Sequence, residues 1–265
     1  MKTIFIFLIF IKNCISKSPN ILLIIADDLG FYDNNFEQKY NPNANKIPNI
    51  TPNLSKLSKS GTYLKNYYVQ TMCTPTRSAL LSSRHPIRDG IMNAIGEGDR
   101  KHMPLYENKD SLYGFKNISI LPNILKSCHY STHIVGKWHL GHYKKSLWPT
   151  NRGFDSFYGY LLGCEDYYNR MTCFGNWGKK EIFNPGPCGL DFRENERKAA
   201  LDFDQIGKYS SEVFEKKASD IIENHSFEKN PLFLYLPFQS VHYKKCNKKF
   251  FRCKTTSIYV FYHSH

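Results

Sequence analysis

The chain has 265 residues, 41% of them apolar, enough in number to form a sizeable core. Lys and Arg total 36 against 23 Asp and Glu, a formal charge of +13, yet no nucleic-acid motif accompanies it. Lys2 and Lys12 sit in the N-terminal leader; Lys244, Lys245, Lys248, Lys249, Arg252 and Lys254 sit after His242, which leaves +5 for Lys17 to His242. That balance suits either collection of a polyanion or an ordinary solvated surface.

From the N-terminus, Met1-Lys2 precedes an almost wholly apolar run from Thr3 to Ile11, then Lys12, Asn13 and Cys14-Ile15-Ser16. This order describes a secretory signal peptide over 1–16, cut after Ser16. The rival reading, a membrane anchor, needs about twenty apolar residues, and Lys12 interrupts the run. No later stretch is long and apolar enough to span a bilayer. The mature protein is therefore expected in the secretory pathway, lysosomal or extracellular. Asn-x-Ser/Thr triplets at Asn49, Asn53, Asn117 and Asn224 and a total of eight cysteines suit that compartment.

Ile21 to Ala26 is a continuous apolar run ending at Asp27-Asp28, the mark of a strand buried on both faces. Thr51 is placed to cap a helix through Leu54 and Leu57, with Gly61 as its stop. Tyr63 to Val69 is rich in strand formers. Pro75 suits the first turn of a helix continuing through Leu81. Met92 to Phe115 reads as loop. Ile120 to Lys126 reads as a helix feeding a strand over Thr132 to Val135. Ser211 to Glu223 has helical apolar spacing, and Leu232 to Leu236 is another buried strand. Strands alternating with helices predict an α/β fold, a mostly parallel sheet sandwiched by helices. Ligands of such sheets gather at the carboxyl ends of the strands. Asp27, Asp28, His139 and His242 all follow strands, so they should meet on one edge.

Several of these residues have chemistry to offer. Adjacent carboxylates at a strand end can bind Ca²⁺, which takes about six to eight oxygens, or can simply cap the next turn. Alternation along an extended segment puts Lys137 and His139 on one side. Taken alone that pair reads as surface, and His242 beside a tyrosine is unremarkable. Cys73 taken alone reads as a small buried hydrophobe or half of a disulfide.

Cys73-Thr74-Pro75-Thr76-Arg77 resembles the modification signal of the sulfatase family, in which the cysteine is oxidised to formylglycine. Further segments carry the likeness: Asn20 to Gly30, Thr51 to Gly90, Leu121 to Tyr168 and Pro231 to His242. Within the family they are most similar to the arylsulfatase B group, the N-acetylgalactosamine-4-sulfatases. Thr76 stands where Ser is usual, Ser83 where Gly is, and His129 where a helix-ending Gly is; histidine tolerates the left-handed conformation better than most residues.

The resemblance implies an alkaline-phosphatase/sulfatase-like fold and a sulfuric ester hydrolase acting on sulfated glycans of the chondroitin or dermatan sulfate kind. It implies formylglycine at Cys73, made by a formylglycine-generating enzyme, and one Ca²⁺ held by Asp27, Asp28 and the modified Cys73. One hydroxyl of the formylglycine hydrate would attack sulfur and the other would later expel sulfate. Arg77 would hold the hydrate, and the start of the helix would direct N–H groups at the anion. Lys137 would neutralise a sulfate oxygen, His139 would take the hydrate's second proton, and His242 would protonate the leaving alcohol. It also implies a Cys173–Cys188 disulfide. Cys128 and Cys164 match no cysteine of the pattern and stay unassigned, buried free thiols being the plain reading.

Family members continue with an Asp-Asn metal pair, a further lysine, more strands and a smaller C-terminal domain. The expectation is therefore an N-terminal part of a catalytic domain over 17–242, then a non-matching, disordered tail over 243–265. A chain with that much of the site missing would be an impaired hydrolase, or an inactive fragment that binds sulfated glycans. A phosphoesterase on the same scaffold would use an unmodified Ser or Thr with Zn²⁺, against which Cys73 argues.

Overall fold

The computed structural model of the chain describes residues 18–30, 33–35, 51–64, 66–91, 118–142, 144–173, 188–195, 197–198, 205–242 and 257–263. The signal peptide, the loop expected over Met92 to Phe115, and Asn49 and Asn117 lie outside them.

The strands in chain order are β1 (Asn20–Ala26), β2 (Ser131–Lys137), β3 (Ser156–Tyr160), β4 (Met171–Cys173), β5 (Cys188–Leu190), β6 (Arg193–Glu194), β7 (Arg197–Lys198), β8 (Leu232–Pro237) and β9 (Ser257–His263). The helices are α1 (Pro52–Ser60), α2 (Cys73–Ser82), α3 (Pro86–Asp89), α4 (Leu121–Ser127) and α5 (Ser210–Glu223). Seven strands form one sheet in the order β7-β6-β3-β2-β8-β1-β9. Its centre is parallel: β8 pairs with β1 from Ile21↔Phe233 to Ile25↔Pro237 and with β2 from Ser131↔Leu232 to Ile134↔Tyr235. β3 continues the parallel run beside β2. Antiparallel strands flank it at both sides, β6 on β3 and β9 on β1. The α/β sandwich expected from the pattern is the fold found.

Every residue of β8 is buried, because both faces of the sheet are covered and no polar alternation is tolerated there. Phe233 and Tyr235 point into one layer with Leu23, Ile25, Ile134, Trp138 and Phe154, where Leu81 of α2 and the partly buried Leu121 and Leu125 of α4 pack. Leu232, Leu234 and Leu236 point into the other with Val135, Tyr160 and the α5 stripe Val213, Phe214 and Ala218. Each such side chain contributes about 1.5–3 kcal/mol on burial. Parallel pairing puts the carboxyl ends of β1, β2, β3 and β8 on a common edge.

Close packing at that edge requires glycine at Gly136, which has φ +122°. A Cβ there would collide with the Pro237 carbonyl of β8, so the two strands approach only without a side chain.

Some local expectations change. Thr51 precedes α1 but makes no side-chain cap; its hydroxyl accepts from the Asn35 amide at 2.8 Å and donates to the Asn35 carboxamide at 2.9 Å. Among its described residues, Tyr63 to Val69 is not a strand: no partner strand adjoins it, and Leu64 and Tyr68 stand 61% and 86% exposed. Strand propensity without a neighbour to pair with does not make a sheet. Cys128 and Cys164 are not in disulfides, but Cys128 is exposed and Cys164 half-buried rather than buried. Within the tail expected to be disordered, Ser257–His263 forms β9. Its Ile-Tyr-Val-Phe-Tyr run is rich in strand formers, and it pairs along the whole of β1, satisfying backbone groups that would otherwise stand open on an edge. His129 and Ser83 take the left-handed conformation, φ 64° and 55°, that their positions demand.

β4 and β5 form a separate antiparallel pair in which Cys173 lies opposite Cys188, and Cys188 is disulfide-bonded. That register fits the pairing the resemblance implies.

Candidate active site

The site lies where β1, β2 and β8 end, and the start of α2 enters it. The helix begins at Cys73, which puts Pro75 in its first turn as expected, and its first six residues are all buried. Cys73 therefore stands at the positive end of a helix of ten residues, under the sheet edge.

Asp27 is the electrostatic centre. It follows β1, is 0% exposed, and its amide donates to the Ser240 carbonyl at 2.8 Å. Lys137, the last residue of β2 and equally buried, donates from Nζ to Asp27 Oδ2 at 2.5 Å. The Arg77 guanidinium lies 3.7 Å from Asp27 Oδ1. Burial alone would raise the Asp27 carboxyl, but Lys137, Arg77 and His242 outweigh it and hold the group down at about 2. Lys137 is held above its ordinary value against the same burial by Asp27 and Cys73. Both charges therefore stay on.

Arg77 lies near enough to Cys73 to be influenced by its charge, and it also has a second contact. Its Nη1 donates to the Lys137 carbonyl at 2.7 Å, so it ties α2 to the end of β2 and faces Asp27. One turn along a buried helix brings it to the strand end, with Tyr160 and Tyr235 among the groups around it.

His139 lies beside the nucleophile candidate: Nδ1 is 3.1 Å from Cys73 Sγ, and the Thr74 hydroxyl is 3.3 Å from each ring nitrogen. Which nitrogen carries the proton is an assignment of tautomer. The route to this position is not strand alternation. Extended structure ends after Lys137, and His139 takes φ 57°, so a left-handed turn swings the ring toward Cys73. The backbone of this turn is secured by Trp138 and His139 amides donating to the Tyr160 and Leu161 carbonyls.

Asp28 and His242 form a second pair at the same edge, with Nε2 3.7 Å from Oδ2. Asp28 has φ 60°, a conformation aspartate tolerates, which turns the chain sharply after β1. The structure thus brings Asp27, Cys73, Arg77, Lys137 and His139 into one buried cluster, with Asp28 and His242 beside it.

Asp27 Oδ1 is buried and without a hydrogen-bond partner. An ionised, desolvated carboxylate oxygen with no donor fits a hard divalent cation, and Asp28 is the next residue. Among the described residues, however, no group of three His, Cys, Asp or Glu side chains stands close enough to enclose an ion. These aspartates therefore suit such an ion in charge and donor type but supply only part of a coordination shell.

Reading residues alone missed the partners of these groups. Thr74 sits inside the motif and Tyr167 and Gln239 inside matching segments, but an ordinary Thr, Tyr or Gln gives no signal until its neighbours are known. Among the described residues no helix is long and apolar enough to cross a membrane.

Comparison with known proteins gives concordant results. The sequence model of a family described as Sulfatase matches residues 19–256. Arylsulfatase J of Mus musculus is 38% identical over 227 residues, covering 86% of this chain and 33% of that protein. N-acetylgalactosamine-6-sulfatase of Mus musculus is 28% identical over 235 residues, covering 85% and 40%. The crystal structure of Ps i-CgsB superposes with a TM-score of 0.63 at 28% identity, over 86% of this chain and 46% of that one. The same protein has been solved in complex with k-i-k-neocarrahexaose. The chain spans roughly a third to two fifths of the length of these curated relatives.

Proposed function

Because the chain belongs to the sulfatase family, whose members are sulfuric ester hydrolases that generally use formylglycine and a divalent metal ion, we propose that Cys73 is the precursor of a formylglycine nucleophile for hydrolysing sulfate esters of glycans. The preferred substrate is 4-sulfated N-acetylgalactosamine of the chondroitin or dermatan sulfate kind, as in the arylsulfatase B group, and the ion is Ca²⁺. The observation that carries the reading is the buried meeting of Cys73, His139, Lys137, Arg77 and Asp27. Single residues of these types are commonplace; four of them buried around one thiol are not.

When present, formylglycine supplies an oxygen nucleophile and the ion, held by Asp27 and Asp28, supplies positive charge to the sulfuryl group. The chain's own groups do the rest. Lys137 Nζ, fixed by Asp27, presents a desolvated positive charge beside the nucleophile position, where it favours an anionic group. Arg77 holds the Lys137 backbone and so sets where that charge stands. His139 Nδ1, 3.1 Å from the Cys73 side chain, is within reach to hold or release a proton of the modified residue. His242 Nε2 is oriented by Asp28 and serves as the acid toward the departing sugar oxygen. Traffic through the secretory pathway to the lysosome or outside accompanies this reading.

The test is sulfate release by the purified chain, made in a secretory host, from 4-sulfated and 6-sulfated N-acetylgalactosamine in Ca²⁺ and in chelator. Release from the 4-sulfate that disappears in Cys73→Ala supports the proposal. Saturable binding of sulfated glycan with no release from either sugar would replace it with a glycan-binding role.

A further inference from the structure

The turn that carries His242 is gripped by side chains of a different segment, and nothing in the catalytic assignment accounts for them. After β8 the backbone is anchored to β1 by the Phe238 amide on the Ile25 carbonyl at 3.0 Å and the Asp27 amide on the Ser240 carbonyl at 2.8 Å. The His242 amide then closes the turn on the Gln239 carbonyl at 2.8 Å. The Tyr167 hydroxyl lies against both ends of this turn, 2.7 Å from the His242 carbonyl and 3.3 Å from the Gln239 carbonyl. A phenol has one proton to give, and the shorter contact takes it.

Gln239 completes the grip from inside. It is 1% exposed, and its carboxamide makes a reciprocal pair with the Glu165 backbone: Nε2 donates to the Glu165 carbonyl at 2.7 Å, and Oε1 accepts from the Glu165 amide at 3.3 Å. Only a primary amide meets both demands; a carboxylate lacks the donor. The Tyr167 ring is itself held, stacked on Tyr209 with centroids 5.3 Å apart and planes 22° from parallel. Tyr209 in turn places its hydroxyl 3.2 Å from Ser240 Oγ, which lies 2.5 Å from Ser211 Oγ at the start of α5. Burial pushes the Tyr167 phenol well above its ordinary value, so it stays a donor at any working pH.

We propose that Tyr167 and Gln239 are positioning residues for His242, a clasp that fixes the imidazole against Asp28 and toward the departing sugar oxygen; this rests on the hydrolase reading above. Displacement of an acid by about 1 Å can cost on the order of 100-fold in rate. The loss should depend on the leaving group. A sugar alkoxide needs a proton as it departs, whereas 4-nitrophenolate leaves with little help.

The experiment compares the full 265-residue chain with Tyr167→Phe, which keeps the ring stack, and Gln239→Met, which keeps much of the side-chain length but removes both the donor and the acceptor. Each is assayed on 4-sulfated N-acetylgalactosamine and on 4-nitrophenyl sulfate, and amide hydrogen exchange is followed over Phe238 to His242. The expected result for both variants is a fall in kcat of about tenfold or more on the sugar, KM within about twofold, and a change under about threefold on the nitrophenyl ester. Exchange at the His242 amide should quicken by about tenfold or more while the strands keep their protection. Equal losses on both substrates, or no loss on the sugar, would overturn the clasp. Wild-type protein inactive on both esters would instead sink the hydrolase reading, and the exchange data then decide the clasp alone: unchanged protection at His242 refutes it, and locally quickened exchange upholds it.

Discussion

Lys137→Met removes one half of an ion pair and little else. The methionine chain follows the path of the lysine stem, so the core volume is nearly kept. What is left is Asp27, 0% exposed, stripped of the charge that does most to hold its carboxyl down, with the Arg77 guanidinium at 3.7 Å and the His242 imidazole as its remaining positive neighbours. Removing one partner of a buried pair generally costs about 3–5 kcal/mol, because the other charge stays desolvated. Arg77 remains nearby, which puts the cost at the low end, near 3 kcal/mol. At roughly 2–4 °C per kcal/mol for a domain of this size, the melting temperature should fall by roughly 6–12 °C. The assay is thermal unfolding followed by circular dichroism at pH 7 in chelator, with wild type, Lys137→Met, and the double variant Asp27→Asn/Lys137→Met. Removing both charges takes away the uncompensated carboxylate, so the double variant should recover much of the loss, a coupling of opposite sign to additivity. A single variant melting within about 2 °C of wild type, or a double variant less stable than the single, would refute the view that Asp27 is held ionised by Lys137.

Two further perturbations probe other parts of the structure. Gly136→Ala places a methyl against the Pro237 carbonyl at a residue with φ +122°, so it should destabilise by roughly 3 kcal/mol or more and reduce the soluble yield; a melt like that of wild type would show that β2 and β8 can separate at no cost. Glu165 is 2% exposed, neither carboxylate oxygen has a hydrogen-bond partner, and burial raises its carboxyl well above the ordinary value against the pull of Arg170 at 3.9 Å. The folded state keeps a proton that the unfolded chain releases, so stability should decline as pH rises from the ordinary glutamate range. Glu165→Gln should flatten that decline and raise the melting temperature at pH 8 but not at pH 4; a parallel pH profile in wild type and variant would contradict it.

How far the residues themselves reveal this protein depends on whether a signal is local. β1 and β8 are legible because two covered faces leave no room for polar alternation, and α5 because Val213, Phe214 and Ala218 repeat at helical spacing. Parallel pairing then follows from the alternation of elements, and with it the convergence of Asp27, Asp28, His139 and His242 on one edge. Tyr63 to Val69 misled because propensity says nothing about whether a neighbouring strand exists. β9 surprised for the opposite reason: the strand formers are present, but which edge receives them is a tertiary fact. In the site, the motif around Cys73 exposes residue types but not their partners. Arg77 meets the Lys137 carbonyl, and His139 arrives by a left-handed turn, through contacts separated by more than fifty residues. Tyr167 and Gln239 carry no chemistry of their own, so only the geometry around the His242 turn distinguishes them.

The most direct measurement is the mass of the peptide containing Cys73, taken from chain secreted by a host with formylglycine-generating activity. Formylglycine in that position predicts a peptide about 18 Da lighter than the thiol form. Thiol at full mass throughout, in a host that converts a control sulfatase, would contradict the assignment of Cys73 as the nucleophile's precursor.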